Sequence, residues 1–204
     1  GITLRPVPRP TPPDPVALSH FVNARLHELQ GHRDQAITSL RAAIAIDTKS
    51  ATLYGALARN LAALERYAEA ALPANKSLQR NANDLQVRWI YYESLLKGLG
   101  DTTLALEQLE SIARRDPEPI KALDRMLKIH DARNDSTSVL RTLDRISALP
   151  GLEEGGKLIA AQNYQIRGEN SKAEQLIQNV LNRNPARGDA WVKLANLQVV
   201  RGDT

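Results

Sequence analysis

His20 and His27 lie seven residues apart, a spacing that sets both imidazoles on one face of a helix. A metal site needs at least a third ligand, and none is placed nearby in sequence, so the pair reads as packing or helix-boundary residues. His130 and Asp131 are adjacent, but no serine completes a triad with them. The chain has no cysteine, hence no thiolate nucleophile and no disulfide framework, and the redox compartment stays open between periplasm and cytoplasm. No glycine-rich phosphate loop is present. The sequence therefore predicts no enzyme, no catalytic residue, no metal and no cofactor. Its carboxylates and cations belong to solvated helix faces, and the question becomes what those faces bind.

The elements that carry these charges recur. The stretch from Gly168 to Trp191 reads as turn, helix, turn and helix start: Ala173, Leu176, Ile177, Val180 and Leu181 share one helical face, and Asn184-Pro185 stops the helix. Stepping back from Ala173 by 34 residues reaches Val139, then Ala105; 35 more reaches Ala70, and 34 more Ala36. A turn-like pair precedes each: Gly31-His32, Glu65-Arg66, Gly100-Asp101, Asn134-Asp135 and Gly168-Glu169, with Gly202-Asp203 as a sixth. Two helices per unit at a fixed period are the signature of a helical repeat array.

On these residues the chain resembles the tetratricopeptide repeat family. The resemblance rests on Tyr54, Trp89 and Trp191; on Leu57 and Leu194; on the small residues Ala24, Ala58, Ala161 and Ala195; on Ala36, Ala70, Ala105 and Ala173; and on Ala43, Pro117 and Pro185. It implies an all-α fold, a right-handed superhelical solenoid of antiparallel helix pairs. The units are 17–50, 51–84, 86–119, 120–153 and 154–187, with a half unit 188–204, after a proline-rich linker 1–16. Small residues at the repeated positions let paired helices approach closely. Glu93, Leu127 and Val139 depart from this pattern, which predicts looser or shifted packing in units three and four.

Several local features carry expectations of their own. Six of the 11 prolines fall within residues 1–15, so this basic segment is expected to be extended and not helical, a stiff spacer. Helix 86–99 is expected to be continuous. Pro73 should kink the helix that contains it, and the Asn75-Lys76-Ser77 sequon inside that helix is fortuitous. Gly151, Gly155 and Gly156 are expected to delay the first helix of unit five to Gly156 or Lys157. The last helix, 188–201, is apolar most of the way round, which predicts further repeats beyond it and self-association through it. Arg201-Gly202-Asp203 occupies the ordinary turn slot of the repeat. No apolar run approaches the about 20 residues that span a bilayer, so no membrane insertion is expected.

The net charge of +4 and a pI near 9.5 permit an acidic partner without requiring nucleic acid. The resemblance implies that the first helix of each unit lines a concave groove. The residues it places there include Phe21, Arg25 and Glu28; Gly55, Arg59 and Ala62; Val87, Ile90, Ser94 and Lys97; Lys121, Asp124, Lys128 and Asp131; and Leu158, Gln162 and Gln165. Phe21, Arg25, Arg59, Ile90, Lys97, Lys121 and Lys128 are the candidate peptide-binding residues, and their excess of positive charge beside apolar groups suits an extended acidic peptide or protein segment. The variant of the family that clamps a chaperone's terminal carboxylate is not matched, because Phe21, Arg25, Val87 and Tyr91 stand where its Lys, Asn, Lys and Arg would be. The leading expectation is a protein-interaction scaffold, part of a longer protein of bacterial envelope assembly or export. A regulatory or targeting domain of a larger enzyme and an RNA-binding helical repeat remain the alternatives. No small-molecule substrate is expected.

Overall fold

The computed structural model describes residues 13–202. The described residues form helices joined by short turns: α1 (Pro15–Leu29), α2 (Arg33–Ile46), α3 (Ala51–Ala63), α4 (Tyr67–Arg80), α5 (Leu85–Glu93, continued by a π-helical segment Ser94–Leu99), α6 (Thr102–Arg115), α7 (Ile120–Ala132), α8 (Ser136–Ser147), α9 (Glu154–Ile166), α10 (Asn170–Arg183) and α11 (Gly188–Arg201). No strand occurs among them. The chain divides between Gln108 and Leu109 into two compact units.

The turns explain the period. Gly31, Glu65, Gly100, Asn134, Gly168 and Gly202, the first member of every predicted turn pair, all have positive φ, between 56° and 78°. A left-handed residue after a helix lets the following N–H reach back and satisfy a terminal carbonyl. His32 N–H donates to His27 O (2.8 Å), Arg66 N–H to Leu61 O (2.9 Å), Asp135 N–H to His130 O (3.0 Å) and Glu169 N–H to Tyr164 O (2.9 Å). Each helix that ends this way is reversed into its hairpin partner.

One hairpin departs from the others and accounts for the single 35-residue spacing. Asp101 N–H donates to Leu95 O (2.9 Å), one residue further back than in the other turns. The extra residue is absorbed by the π-helical segment Ser94–Leu99, so helix 86–99 is not the uniform α-helix its sequence predicts. The extra residue lies late in the helix: up to Ser94 the register follows α3 at 34, N-cap Asp84 after N-cap Ser50, so Tyr92 takes the buried place of Ala58 and Ser94 that of Asn60, and Glu93 stays partly exposed. Glu93 is thus not at the small-residue position the sequence reading gives it; Tyr92 is. The π-helical segment also sets Gly98 directly on the Tyr67–Ala68 backbone of α4.

In the first unit, Ala24, Ala36, Ile37, Leu40 and Ala43 of the α1–α2 hairpin pack with Leu53, Ala56, Leu57 and Leu61 of α3 and with Ala70. Ala58, Ala74, Leu78 and Val87 continue the core toward α5. In the second, Val139 and Leu143 join Leu158, Ala161, Tyr164, Ala173, Ile177, Val180, Leu181, Ala190, Leu194 and Leu197. Ala36, Ala70, Ala105 and Ala173, the small residues of the period, have no exposed surface, and Val139 in the same place is buried as well.

Other local expectations meet mixed outcomes. Pro15 opens α1 instead of ending an extended segment; its missing N–H is unneeded at a helix start, and Asp14 Oδ1 caps the turn by accepting from Val16 N–H (2.8 Å) and Ala17 N–H (3.2 Å). Residues 1–12 of the expected spacer, and Asp203 of the terminal tripeptide, lie outside the described residues. α4 runs on through Pro73. Ser77 of the sequon is buried and donates to Ala51 O (2.9 Å). α9 begins at Glu154, earlier than Gly156, because Leu152 folds over Gly156, where any added Cβ would lie 2.6 Å from its Cδ1. α11 is apolar on its outer faces as predicted, with Trp191, Val192, Val199 and Val200 all more than half exposed.

Candidate functional site

The first helices α1, α3 and α5 of the first unit are linked in series. Asn60 of α3, buried among apolar residues, donates its amide to the Glu28 carboxylate of α1 and to Ala56 O (2.9 Å), and accepts from Arg33 Nη1 (3.3 Å). Arg25 closes on the same Glu28 carboxylate. Gly55 of α3 meets Val87 of α5 and Ser77 of α4, where a Cβ would be 3.2 Å from Val87 Cγ2 and 3.1 Å from Ser77 Oγ. Gly55 and Val87 are therefore joint residues between helices, and Ser94 is buried too, so none of the three presents a side chain to a ligand. This overturns their placement in the groove. Gly55 is buried because the helices approach closely there; Val87 and Ser94 are buried because they repeat the core positions Leu53 and Asn60 at a spacing of 34.

Of the candidate residues in this unit, Phe21 and Ile90 are half-buried against the core. Arg25 is exposed but bound to Glu28. Lys97 stands over the Tyr67 ring (4.7 Å to its centre), contacts its hydroxyl (3.4 Å) and lies 3.6 Å from Glu93. The Tyr67 hydroxyl, more than Glu93, holds its ammonium above the usual lysine value. Arg59 differs from both. It is half-buried, its guanidinium folds back beside Gly55, and it has no hydrogen-bond or ion-pair partner among the described residues.

In the second unit the candidate cations are largely spent on neighbours. Lys128 pairs with Asp124 one turn earlier (2.7 Å). Asp131 is taken by Arg167 of the next hairpin (2.5 Å), which also bonds Asn163 Oδ1 (3.1 Å). Lys121 is exposed. Leu158 is buried, correcting its placement in the groove, and Gln162 Oε1 accepts from Lys193 (3.0 Å). The positive excess counted from sequence is thus reduced by local pairing.

Sequence reading missed Asn60, although a lone amide inside the run Ala56–Leu64 was a visible signal. It also missed a cluster on the other side of the second unit. There Tyr164 Oη donates to Asp144 Oδ1 (2.6 Å), Lys172 Nζ donates to the same oxygen (2.7 Å), and Ser147 Oγ donates to Tyr164 Oη (3.4 Å). Burial, and then the Asp144 carboxylate that accepts its proton, push the Tyr164 phenol well up. Burial pushes the Asp144 carboxyl up, but Lys172 and Tyr164 together outweigh it and hold the group below the usual carboxylate range.

Among the described residues no group of three or more His, Asp or Glu side chains could hold a metal ion, and no helix is long and apolar enough to cross a membrane. No family model matches the chain, and no curated protein does. Solved structures do. A tetratricopeptide repeat protein from Parabacteroides merdae superposes with a TM-score of 0.61 at 17% identity, over 93% of this chain and 75% of that one. MamA from Desulfovibrio magneticus RS-1 gives 0.61 at 15%, over 87% and 99%. YrrB, described as a TPR protein with an unusual peptide-binding site, gives 0.60 at 17%, over 86% and 90%. With the recurring left-handed turns and the buried small residues of each hairpin, these likenesses give the chain the all-α tetratricopeptide repeat solenoid fold.

Proposed function

We propose that this chain is a non-catalytic protein-interaction scaffold that receives an extended acidic segment of a partner protein along α1, α3 and α5. The observation that carries the reading is Arg59: a half-buried guanidinium, without a carboxylate partner among the described residues, on the run of first helices that also carries Phe21 and Ile90. A guanidinium already partly removed from water binds a carboxylate more strongly than a solvated one. Phe21 and Ile90 add apolar surface on which a partner side chain can rest. Lys97, kept charged beside Tyr67, extends the positive character along α5. The peptide-binding site ascribed to YrrB supports a peptide as the ligand class on this fold. The local pairing of Arg25 and Lys128 with carboxylates argues against a continuous phosphate-binding tract for RNA.

The test is selection of a phage-displayed random peptide library on the folded chain, followed by affinity measurement of the winners on Arg59→Glu. The reading expects acidic sequences to be enriched and to lose about tenfold or more in affinity on the variant. Winners without acidic bias, or indifferent to Arg59→Glu, would refute it.

A further inference from the structure

A cleft of about 550 Å³ opens in the second unit between α8 and α10, both packed on α9, with Tyr164 at its base. It is open to solvent over much of its extent, so a ligand lies across it and is not enclosed. The chemistry of its lining is lopsided. Asp144 is the carboxylate among the lining residues, and both Tyr164 and Lys172 bond its Oδ1, so it is already neutralised. With Lys172 spent on that carboxylate, Lys157 and Arg183 remain as the cations of the lining. Lys157 Nζ is steered into position by a neutral acceptor, Asn179 Oδ1 (2.7 Å), which fixes the ammonium without cancelling its charge and leaves N–H donors over. Arg183 is exposed at the rim, with no hydrogen-bond or ion-pair partner among the described residues. Leu149, Pro150 and Leu176 add an apolar wall on the same cleft.

We propose that this cleft is a second recognition site, for a peptide segment that carries two carboxylates next to an apolar side chain. Lys157 and Arg183 receive the carboxylates, and the Leu149–Pro150 turn with Leu176 receives the apolar group. Lys172 and Asp144 hold the floor, because their bond ties α10 to α8 and seats Tyr164 beneath. The site is separate from the α1, α3 and α5 surface and stands whether or not that surface binds.

The test uses a fluorescein-labelled hexapeptide of alternating Glu and Leu, with Gln–Leu and Lys–Leu counterparts, in fluorescence anisotropy titrations. The titrations use Arg59→Glu as parent, which silences the α1, α3 and α5 surface, and Lys157→Ala/Arg183→Ala added on that background as the variant, each checked for native helix content by circular dichroism. The expected result is saturable binding of the Glu–Leu peptide alone. Its affinity falls about tenfold when Lys157→Ala/Arg183→Ala is added to Arg59→Glu, and weakens as salt is raised. Equal affinity in the variant and the parent, or equal binding of the Gln–Leu peptide, overturns the proposal. No binding to Arg59→Glu where the unsubstituted chain binds assigns the peptide to the other surface and also overturns it.

Discussion

Gly98 lies against the backbone of Ala68 so closely that a Cβ on it would stand 2.4 Å from the Ala68 amide nitrogen and 2.6 Å from the Tyr67 carbonyl carbon. The two atoms of contact belong to main chain, which cannot rotate away as a side chain can. The approach exists because the π-helical turn at Ser94–Leu99 adds one residue and turns Gly98 toward α4. Gly98→Ala should therefore force α4 and α5 apart and destabilise the first unit by about 1–3 kcal/mol. Urea unfolding checks this. Gly155→Ala, on α9 with nothing within 4 Å of the added Cβ, should instead stabilise by about 0.5–1 kcal/mol through helix propensity.

The left-handed turn residues predict signs as well. Glu65 holds positive φ with a side chain that resists it and Asn134 with one that tolerates it, whereas Gly31, Gly100, Gly168 and Gly202 hold it freely. Glu65→Gly should raise stability by about 1 kcal/mol, and Gly168→Ala should lower it by a similar amount. Thermal midpoints of the two variants moving in the same direction would contradict the assigned role of these turns.

Asn60 is the polar node between α1 and α3. Asn60→Leu keeps the branched shape but leaves Glu28 Oε1 without its donor, while Arg25 stays on Oε2, and removes the acceptor for Arg33. The expected loss is about 1–3 kcal/mol, since an abandoned buried acceptor costs more than the bond itself. Glu28→Gln, which keeps an acceptor for the Asn60 amide, should lose less. Chemical denaturation of both variants orders them.

His130 gives the fold a pH dependence. Burial, its largest influence, pushes the imidazole below its ordinary value, against the opposing pull of Asp135 at 3.8 Å. The folded chain therefore binds this proton less readily than the unfolded chain. Stability should be full above the ordinary imidazole value near about 6.5 and should decline as pH falls through it. Urea midpoints between about pH 7.5 and about pH 5.5 check the slope, and His130→Gln should flatten it.

How far the sequence carried depended on the kind of feature. Turn pairs were readable because a left-handed residue followed by a helix start leaves a local chemical mark, and all six lie where the repeat puts them. Helices α2, α4, α6 and α11 end where their turn residues and prolines say. The extra residue before Ala105 was countable but could not be located, because one added residue in a helix leaves the apolar pattern readable in either register. Groove positions transferred from the resemblance were less dependable. Val87 and Ser94 are buried because α5 starts at Leu85 with its extra residue late, so positions counted from 86 fall one residue off; Gly55 and Leu158 are buried because packing between neighbouring hairpins decides exposure. The pairs that spend charge, such as Asp131 with Arg167 and Asp144 with Lys172, join residues far apart in the chain. No local pattern announces them.

The central claim, recognition of an acidic segment along α1, α3 and α5, is tested most directly by amide chemical-shift mapping of the isotope-labelled chain with a selected acidic peptide. The account predicts shifts that cluster at Phe21, Arg59, Ile90 and Lys97 and vanish in Arg59→Glu. Shifts confined to α2 and α4, or none anywhere at saturating peptide, would contradict it.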